Sequence, residues 1–154
     1  MEEAQRNRIV DLLRYPPDTA GGIMTNQLPL LPATLTVAAA REVLRDQLTA
    51  PDFVYYIYVV DDLAGGHLQG VVTLREFVLA KDEQLIADVM RAEVAALDPL
   101  QPAIEAARRV AEIHLAAMPV VGKDGRLLGA VTIDAAIGQI APAGWGQQTP
   151  RVFS

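Results

Sequence analysis

The sequence predicts an α/β (α+β) fold made of two copies of one strand-helix-strand-strand-helix unit, packed as a pseudo-twofold pair. The first observation is a motif that occurs twice, as Gly70-Val71-Val72-Thr73 and as Gly129-Ala130-Val131-Thr132. The second is that each motif follows an apolar strand and a polar turn, and then continues into a helical segment. Because duplicated units stack to bury faces that one copy leaves open, the two copies are expected to share a core.

Composition limits the class of protein. The chain has 154 residues, of which 51% are hydrophobic, with a formal net charge of −6 and no cysteine. This length fits one medium domain or two small domains that share a core. The acidic balance argues against nucleic-acid binding, and the missing cysteines exclude disulfides and thiolate metal sites. Because no stretch approaches the ~20 consecutive apolar residues of a membrane span, we expect this chain itself to be soluble.

The first segment of the chain is predicted to be a helix over Glu3–Arg14, with its apolar residues on one face. Tyr15-Pro16-Pro17-Asp18 ends that helix, since proline lacks a donor N–H and restricts the residue before it. Gly21-Gly22 then provides a flexible joint. We expect a domain boundary here, so that residues 1–22 form a terminal helix and a linker.

The first repeat is predicted to occupy residues 23–84. Thr36 is a suitable N-cap for its first helix, whose apolar residues recur at helical spacing. The strand after it is apolar or aromatic throughout, as expected for a strand buried on both faces. The predicted elements are a short strand at Leu30-Leu31, a helix over Val37–Leu48, strands over Val54–Val60 and Leu68–Thr73, and a helix over Leu74–Ala80.

The second repeat is predicted to occupy residues 85–141 with the same order of elements. Pro102 suits the first turn of its first helix, and Lys123-Asp124-Gly125 is a typical hairpin turn. The predicted elements are a short strand over Val94–Leu97, a helix from Pro102 to Leu115, strands over Met118–Val121 and Leu127–Thr132, and a helix over Ile133–Ile140.

The two threonines that end the motifs, Thr73 and Thr132, have two explanations at this stage. A threonine between a strand and a helix can cap the helix through its side-chain oxygen. The same position also lets its hydroxyl meet a ligand at the strand end. Sequence alone leaves both explanations open at each site.

The order of elements, the repeat length and the Gly-x-x-Thr strand ends resemble a pair of cystathionine-β-synthase (CBS) domains. The resemblance covers about Ile23 to Ala141. It implies a regulatory module that binds an adenosine nucleotide in the cleft between the two copies. CBS pairs commonly assemble as disc-like dimers, so the resemblance also implies a homodimer.

Two further stretches are similar to MgtE-type magnesium transporters. They run from Tyr15 to Thr25 and from Val54 to Asp61. In that family a helical domain precedes the CBS pair, and a connecting helix leads to a membrane pore. The resemblance implies that residues 1–22 end such a helical domain and that residues 142–154 begin the connection to a transmembrane domain. It places the module on the cytoplasmic side of the membrane.

Candidate nucleotide-binding residues follow from the CBS resemblance. Thr73 would donate to a phosphate, Arg75 would supply positive charge, and Glu76 would accept the ribose hydroxyls in place of the family's aspartate. Tyr58 matches a position that lines the adenine pocket, and Leu115 one that packs on the base. The implied ligand is an adenine nucleotide: ATP, ADP or AMP.

The second copy departs from this pattern. Its motif continues Thr132-Ile133-Asp134-Ala135, so alanine stands where the ribose-binding acid is expected, and we predict at most one competent site. The resemblance to magnesium transporters also implies Mg²⁺ as a ligand, held by acids at three family positions. Those positions are His114, Ala135 and Gly138 here, so we assign no metal ligand.

Catalysis finds no support in the sequence. It contains no nucleophile elbow, no P-loop and no dinucleotide-binding fingerprint, and no catalytic residue is assigned. The sequence therefore predicts a regulatory module that senses adenine nucleotide, and Mg²⁺ where acids allow it, to gate the pore of an MgtE-like transporter. The alternative is a stand-alone CBS pair that binds an adenosine nucleotide and controls a partner enzyme.

Overall fold

The computed structural model describes residues 15–48 and 56–140. The predicted helix at 3–14, the first part of the predicted strand at 54–60 and the tail at 142–154 therefore lie outside the described residues. The elements in chain order are α1 (Ala20–Ile23), β1 (Leu30–Pro32), α2 (Val37–Gln47), β2 (Ile57–Val60), β3 (Leu68–Val72), α3 (Leu74–Leu79), α4 (Ile86–Val89), α5 (Ala103–Glu112), β4 (Ala117–Val121), β5 (Leu127–Thr132) and α6 (Ile133–Ile140).

The first repeat forms a three-stranded sheet in the order β1-β2-β3. Strands β1 and β2 are parallel, and β2 and β3 are antiparallel, as expected for a strand-helix-strand-strand unit. Helix α2 begins as predicted, because the Thr36 hydroxyl accepts the Ala39 N–H at 3.2 Å. Its residues Val37, Ala40 and Leu44 pack against the inner face of the sheet and form the hydrophobic core of the first repeat.

The second repeat forms a two-stranded antiparallel sheet, β4-β5. The strand predicted over Val94–Leu97 is wrong, since only Leu97 pairs there, in a single parallel bridge to Val120. In the first repeat the corresponding ladder includes a bond from the Tyr58 N–H to the Pro29 carbonyl at 3.0 Å. Pro119 occupies the Tyr58 position in β4 and has no N–H to donate, so that rung cannot form.

The segment at the start of each repeat packs on the other repeat. Helix α1 and Met24 are part of the core of the second repeat, while α4 and Met90 pack with the core of the first. These two single-turn helices, α1 and α4, were not predicted. This exchange holds the two repeats together, because each core includes a segment from the start of the other repeat.

The glycines of the repeated motif are explained by this exchange. A Cβ on Gly70 would lie 2.5 Å from the Arg91 carbonyl oxygen and 2.7 Å from the Met90 sulfur. A Cβ on Gly129 would lie 2.5 Å from the Thr25 carbonyl oxygen and 2.8 Å from the Met24 sulfur. The exchanged backbone therefore approaches each β-strand at a point where only glycine fits.

A second connection joins the hairpin turns of the two repeats. The Leu68 N–H donates to the Gly125 carbonyl at 3.1 Å, and the Leu127 N–H donates to the Gly66 carbonyl at 2.8 Å. Gly66 and Gly125 have positive φ angles of 69° and 86°, which explains glycine at both turns. The two units are thus joined by backbone pairing as well as by side-chain packing.

No helix in the described ranges is long and apolar enough to cross a membrane.

Candidate functional site between the repeats

One face of the first sheet is directed at the second repeat. Tyr58 of β2 and Val71 of β3 are register partners, and both pack with Ala117 and Ala130 of the second repeat in a small apolar cluster. Side chains two residues apart on a strand point to the same face. Thr73 follows Val71 by two residues, so its side chain lies at the end of that same face.

Tyr58 is the most unusual residue of this face. It is 2% exposed, and its hydroxyl is buried without a hydrogen-bond partner. Its ring contacts Tyr56 edge to face, with centroids 6.5 Å apart, and burial raises the pKa of the Tyr58 hydroxyl well above its usual range. A buried hydroxyl without a partner costs stability in the free protein, so a bound group that pairs with it would recover that cost.

Thr73 and Glu76 form a closed pair at the start of α3. The Thr73 hydroxyl accepts the Glu76 N–H at 3.1 Å and donates to Glu76 Oε1 at 2.9 Å. The Thr73 N–H also donates to Glu76 Oε1, at 3.0 Å, which completes a capping box. The cap explanation therefore holds for Thr73, and its hydroxyl is already engaged before any ligand arrives.

The carboxylate of Glu76 has a second partner that the sequence analysis missed. Arg91 Nε lies 3.0 Å from Glu76 Oε2. Burial alone would raise the pKa of Glu76, but hydrogen bonds from Thr73 and Arg91 outweigh it and hold the pKa below its usual value. The sequence aligns Met90-Arg91 with Met24-Thr25, but this correspondence does not indicate the contact with Glu76.

The remaining predicted site residues, Leu115 and Arg75, lie at the margin of this face. Leu115 is half-buried and packs against the core of the second repeat. Its neighbour Ala116 donates its N–H to the Tyr56 hydroxyl at 3.4 Å, which brings this segment to the start of β2. Arg75 is exposed on α3, and among the described residues its side chain has no hydrogen-bond or ion-pair partner. The fold thus brings Tyr58, Thr73 and Glu76 to one face.

We call the strand-to-helix junction at Thr73, with the exchanged segment beside it, the first corner, and the equivalent junction at Thr132 the second corner. The second corner has the same backbone arrangement and different side chains. The Thr132 hydroxyl accepts the Ala135 N–H at 3.2 Å, as Thr73 does for Glu76. No carboxylate returns the contact, because the third residue of the helix is Ala135. Over residues 15–48 and 56–140, no three histidine or acidic side chains cluster closely enough to hold a metal ion.

A family model supports the duplicated fold. The model described as the CBS domain matches this chain twice, over residues 20–83 and 86–141. The two matched ranges together cover more than half of the chain.

Curated relatives come from bacteria. The chain is 37% identical over 133 residues to the magnesium transporter MgtE of Enterococcus faecalis, and 34% identical over 134 residues to that of Thermus thermophilus. These alignments cover 86% and 87% of this chain, but only 28% and 29% of the relatives. The chain therefore spans less than a third of the curated relatives that it matches.

A solved structure gives the same result in three dimensions. The cytosolic domain of the Mg²⁺ channel MgtE in complex with ATP superposes with a TM-score of 0.77 at 34% identity. The match covers 86% of this chain and 53% of that chain.

Proposed function

This chain belongs to the family of CBS-domain proteins, and on that premise we propose that it is the nucleotide-sensing regulatory module of an MgtE-like magnesium transporter. The predicted tandem CBS fold and the similarity to MgtE-type transporters are confirmed. The relatives are magnesium transporters, which is consistent with a module that has no catalytic activity of its own.

The buried, unpartnered hydroxyl of Tyr58 is the observation that carries the proposal. Polar groups in protein interiors are almost always paired, so an orphan on the face between two repeats points to a group that arrives from outside. In this proposal Tyr58 lines the adenine pocket, and its hydroxyl offers the bound group a hydrogen bond. The ATP complex of a relative at 34% identity supports an adenine nucleotide as the ligand.

We assign the other contacts on the same basis. Thr73 and Glu76 lie at the end of the face that carries Tyr58, where a ribose with its first phosphate would extend from the base. Glu76 accepts from the ribose hydroxyls, and Thr73 donates to phosphate. Arg75 is exposed beside them and adds positive charge, while Leu115 closes the apolar side from the second repeat.

We infer that the module acts by a shift in population. A nucleotide in the cleft contacts both repeats, so it favours the arrangement in which the two faces fit it best. In a full-length transporter, the module would lie on the cytoplasmic side of the membrane. The chain that follows the second repeat would transmit the preference for one arrangement to the pore. Mg²⁺ enters this proposal as the ion of the nucleotide complex, since no protein ligand for it is assigned.

A homodimer is part of the proposal. The side chains of Val78 and Leu79 on α3 are 77% and 71% exposed, although both are large and apolar. Ile137 and Ile140 on α6 are also exposed, at 45% and 42%. A second copy of the chain that covered these helices would remove this surface from water. Sedimentation velocity of the purified chain should give twice the monomer mass, and Val78→Lys should return the monomer.

Isothermal titration calorimetry of the purified chain with ATP, ADP and AMP tests the nucleotide site. We expect one site per chain, with and without Mg²⁺. Tyr58→Phe should weaken binding, while Thr132→Val, whose cap has no acid at the third helix position, should leave it unchanged. No heat at millimolar nucleotide in either condition would refute the proposal.

A further inference from the structure

We propose that Arg91 is a specificity-determining residue of this site, which binds the phosphate chain and makes the module prefer ATP and ADP over AMP and adenosine. The inference rests on the proposed nucleotide site. It adds a residue outside the repeated motif, on the segment that connects the two repeats.

The backbone places Arg91 on the face of the site. Arg91 extends the first sheet beyond β3, since its N–H donates to the Val71 carbonyl at 2.9 Å and its carbonyl accepts the Val71 N–H at 3.0 Å. Residues directly opposite each other in an antiparallel pair present their side chains on the same face. Val71 shares its face with Tyr58 and Thr73, so Arg91 does as well.

The hydrogen bonds of Glu76 show how Arg91 would move. Oε1 of Glu76 accepts twice from Thr73, and Oε2 accepts from Arg91 Nε. Each carboxylate oxygen has about two acceptor sites, so Oε2 has one left. If both ribose hydroxyls donate to Oε2, they need both of its acceptor sites, and the guanidinium must leave.

A released guanidinium remains beside the nucleotide. The Arg91 side chain is 68% exposed, so packing does not fix it in its present position. Only its Nε is used among the described residues, and the terminal nitrogens are free to form a fork. A guanidinium fork matches phosphate oxygens in geometry and charge, and each added phosphate strengthens the attraction. Arg91 would therefore exchange the carboxylate of Glu76 for the phosphate chain.

The second corner provides an independent observation. Thr25 pairs with Ala130 there, as Arg91 pairs with Val71 in the first corner. The second corner lacks both partners of the ion pair, since Thr25 stands for Arg91 and Ala135 stands for Glu76. An arginine that served only to fasten the exchanged segment would be needed equally in both corners, because the backbone bridge is the same.

Calorimetry with ATP, ADP, AMP and adenosine separates the roles of Arg91. In Arg91→Met we expect ATP to bind at least about 10-fold more weakly, with a smaller loss for AMP. Adenosine should bind as well as to the wild type or better, since Glu76 is released. Arg91→Lys keeps the charge but not the fork, and should lie between wild type and Arg91→Met for ATP.

Arg41→Met is the matched control. Arg41 Nη2 lies 2.7 Å from Asp82 Oδ1, so this variant also removes one exposed arginine–carboxylate pair and one positive charge. It should leave all four affinities unchanged. An equal loss for all four ligands in Arg91→Met, or an unchanged ATP affinity, would overturn the inference while the nucleotide site stood. Failure of the wild type to bind any nucleotide would instead remove the proposed function and this inference together.

Discussion

The two corners of the molecule share a backbone and differ in chemistry. Each has a motif glycine against an exchanged segment and a threonine that caps a helix. The polar and charged side chains that we assign to the nucleotide occur in the first corner alone. Four positions show the difference, with the residue of the first corner named first in each pair: Tyr58 and Pro119, Arg75 and Asp134, Glu76 and Ala135, and Arg91 and Thr25.

This difference shows which parts of the repeated motif serve the fold. Gly70 and Gly129 are required in both corners because backbone from the other repeat lies against them. Thr73 and Thr132 both cap helices, so the threonine by itself does not mark a ligand site. Glu76 and Arg75 beside Thr73 have no acid and no arginine, respectively, as counterparts in the second copy. A comparison of the two copies therefore finds the ligand site at the positions where they differ.

The largest effect is expected where the two corners are alike. Gly70→Ala and Gly129→Ala each place a methyl group 2.5 Å from a carbonyl oxygen, so each should lower the free energy of unfolding by about 1–3 kcal/mol. Urea denaturation of the two variants measures this. Gly138→Ala is the control, since its Cβ meets open space within α6 and should stabilise by about 0.5–1 kcal/mol. A large effect in one corner only would show that the exchange is not symmetric.

The second effect should separate the corners. Thr73→Val and Thr132→Val both remove a cap, and each should cost about 1 kcal/mol of unfolding free energy. Only Thr73→Val should also weaken ATP, by roughly 10-fold, because it removes a hydrogen bond to a charged group. Calorimetry on the matched pair tests this. Equal ATP affinities would contradict the assignment of the site to the first corner.

A smaller effect of opposite sign is expected at Tyr58. Tyr58→Phe removes a buried hydroxyl without a partner, so the nucleotide-free protein should become more stable by about 1 kcal/mol. The same variant should bind ATP less tightly, because it can no longer donate. Thermal unfolding with and without ATP measures both changes. A destabilised variant would mean that the hydroxyl is paired in the free protein.

The fold was predictable from the sequence because its signals are local and repeated. Thr36 before an apolar stripe and Gly125 in a turn each determine their element within a few residues, and the structure has both. The strand predicted over Val94–Leu97 failed because its pairing depends on a distant residue. Pro119 removes the donor that would have extended the ladder, and that contact is visible only once the strands are aligned.

The site was predictable in part for the same reason. Thr73 and Glu76 are three residues apart, so their contact follows from helix geometry. Arg91 reaches Glu76 across 15 residues and through a segment that has exchanged repeats, which no spacing rule indicates. The orphan hydroxyl of Tyr58 likewise depends on what surrounds it rather than on sequence.

The smallest effect concerns acid, and it again distinguishes the corners. The pKa of Glu76 is lowered in the folded protein, so its stabilisation is present above its unfolded pKa and is lost as pH falls through the folded one. Glu76→Gln should therefore cost up to about 1 kcal/mol of unfolding free energy at pH 7. The difference from wild type should shrink as pH falls below about 4.3. Urea denaturation at pH 7 and at pH 3.5 measures it.

Glu42→Gln is the control for that experiment, because Glu42 pairs only loosely with Arg45, at 3.8 Å on the exposed face of α2. It should change the free energy of unfolding by less than about 1 kcal/mol, since exposed pairs contribute little. Thr132→Val should keep the full acid sensitivity of the wild type, because Ala135 gives the Thr132 cap no carboxylate partner. If Glu76→Gln also kept the acid sensitivity of the wild type, acid would not act through the capping box. The two corners would then differ in their ligand contacts and not in their contribution to stability.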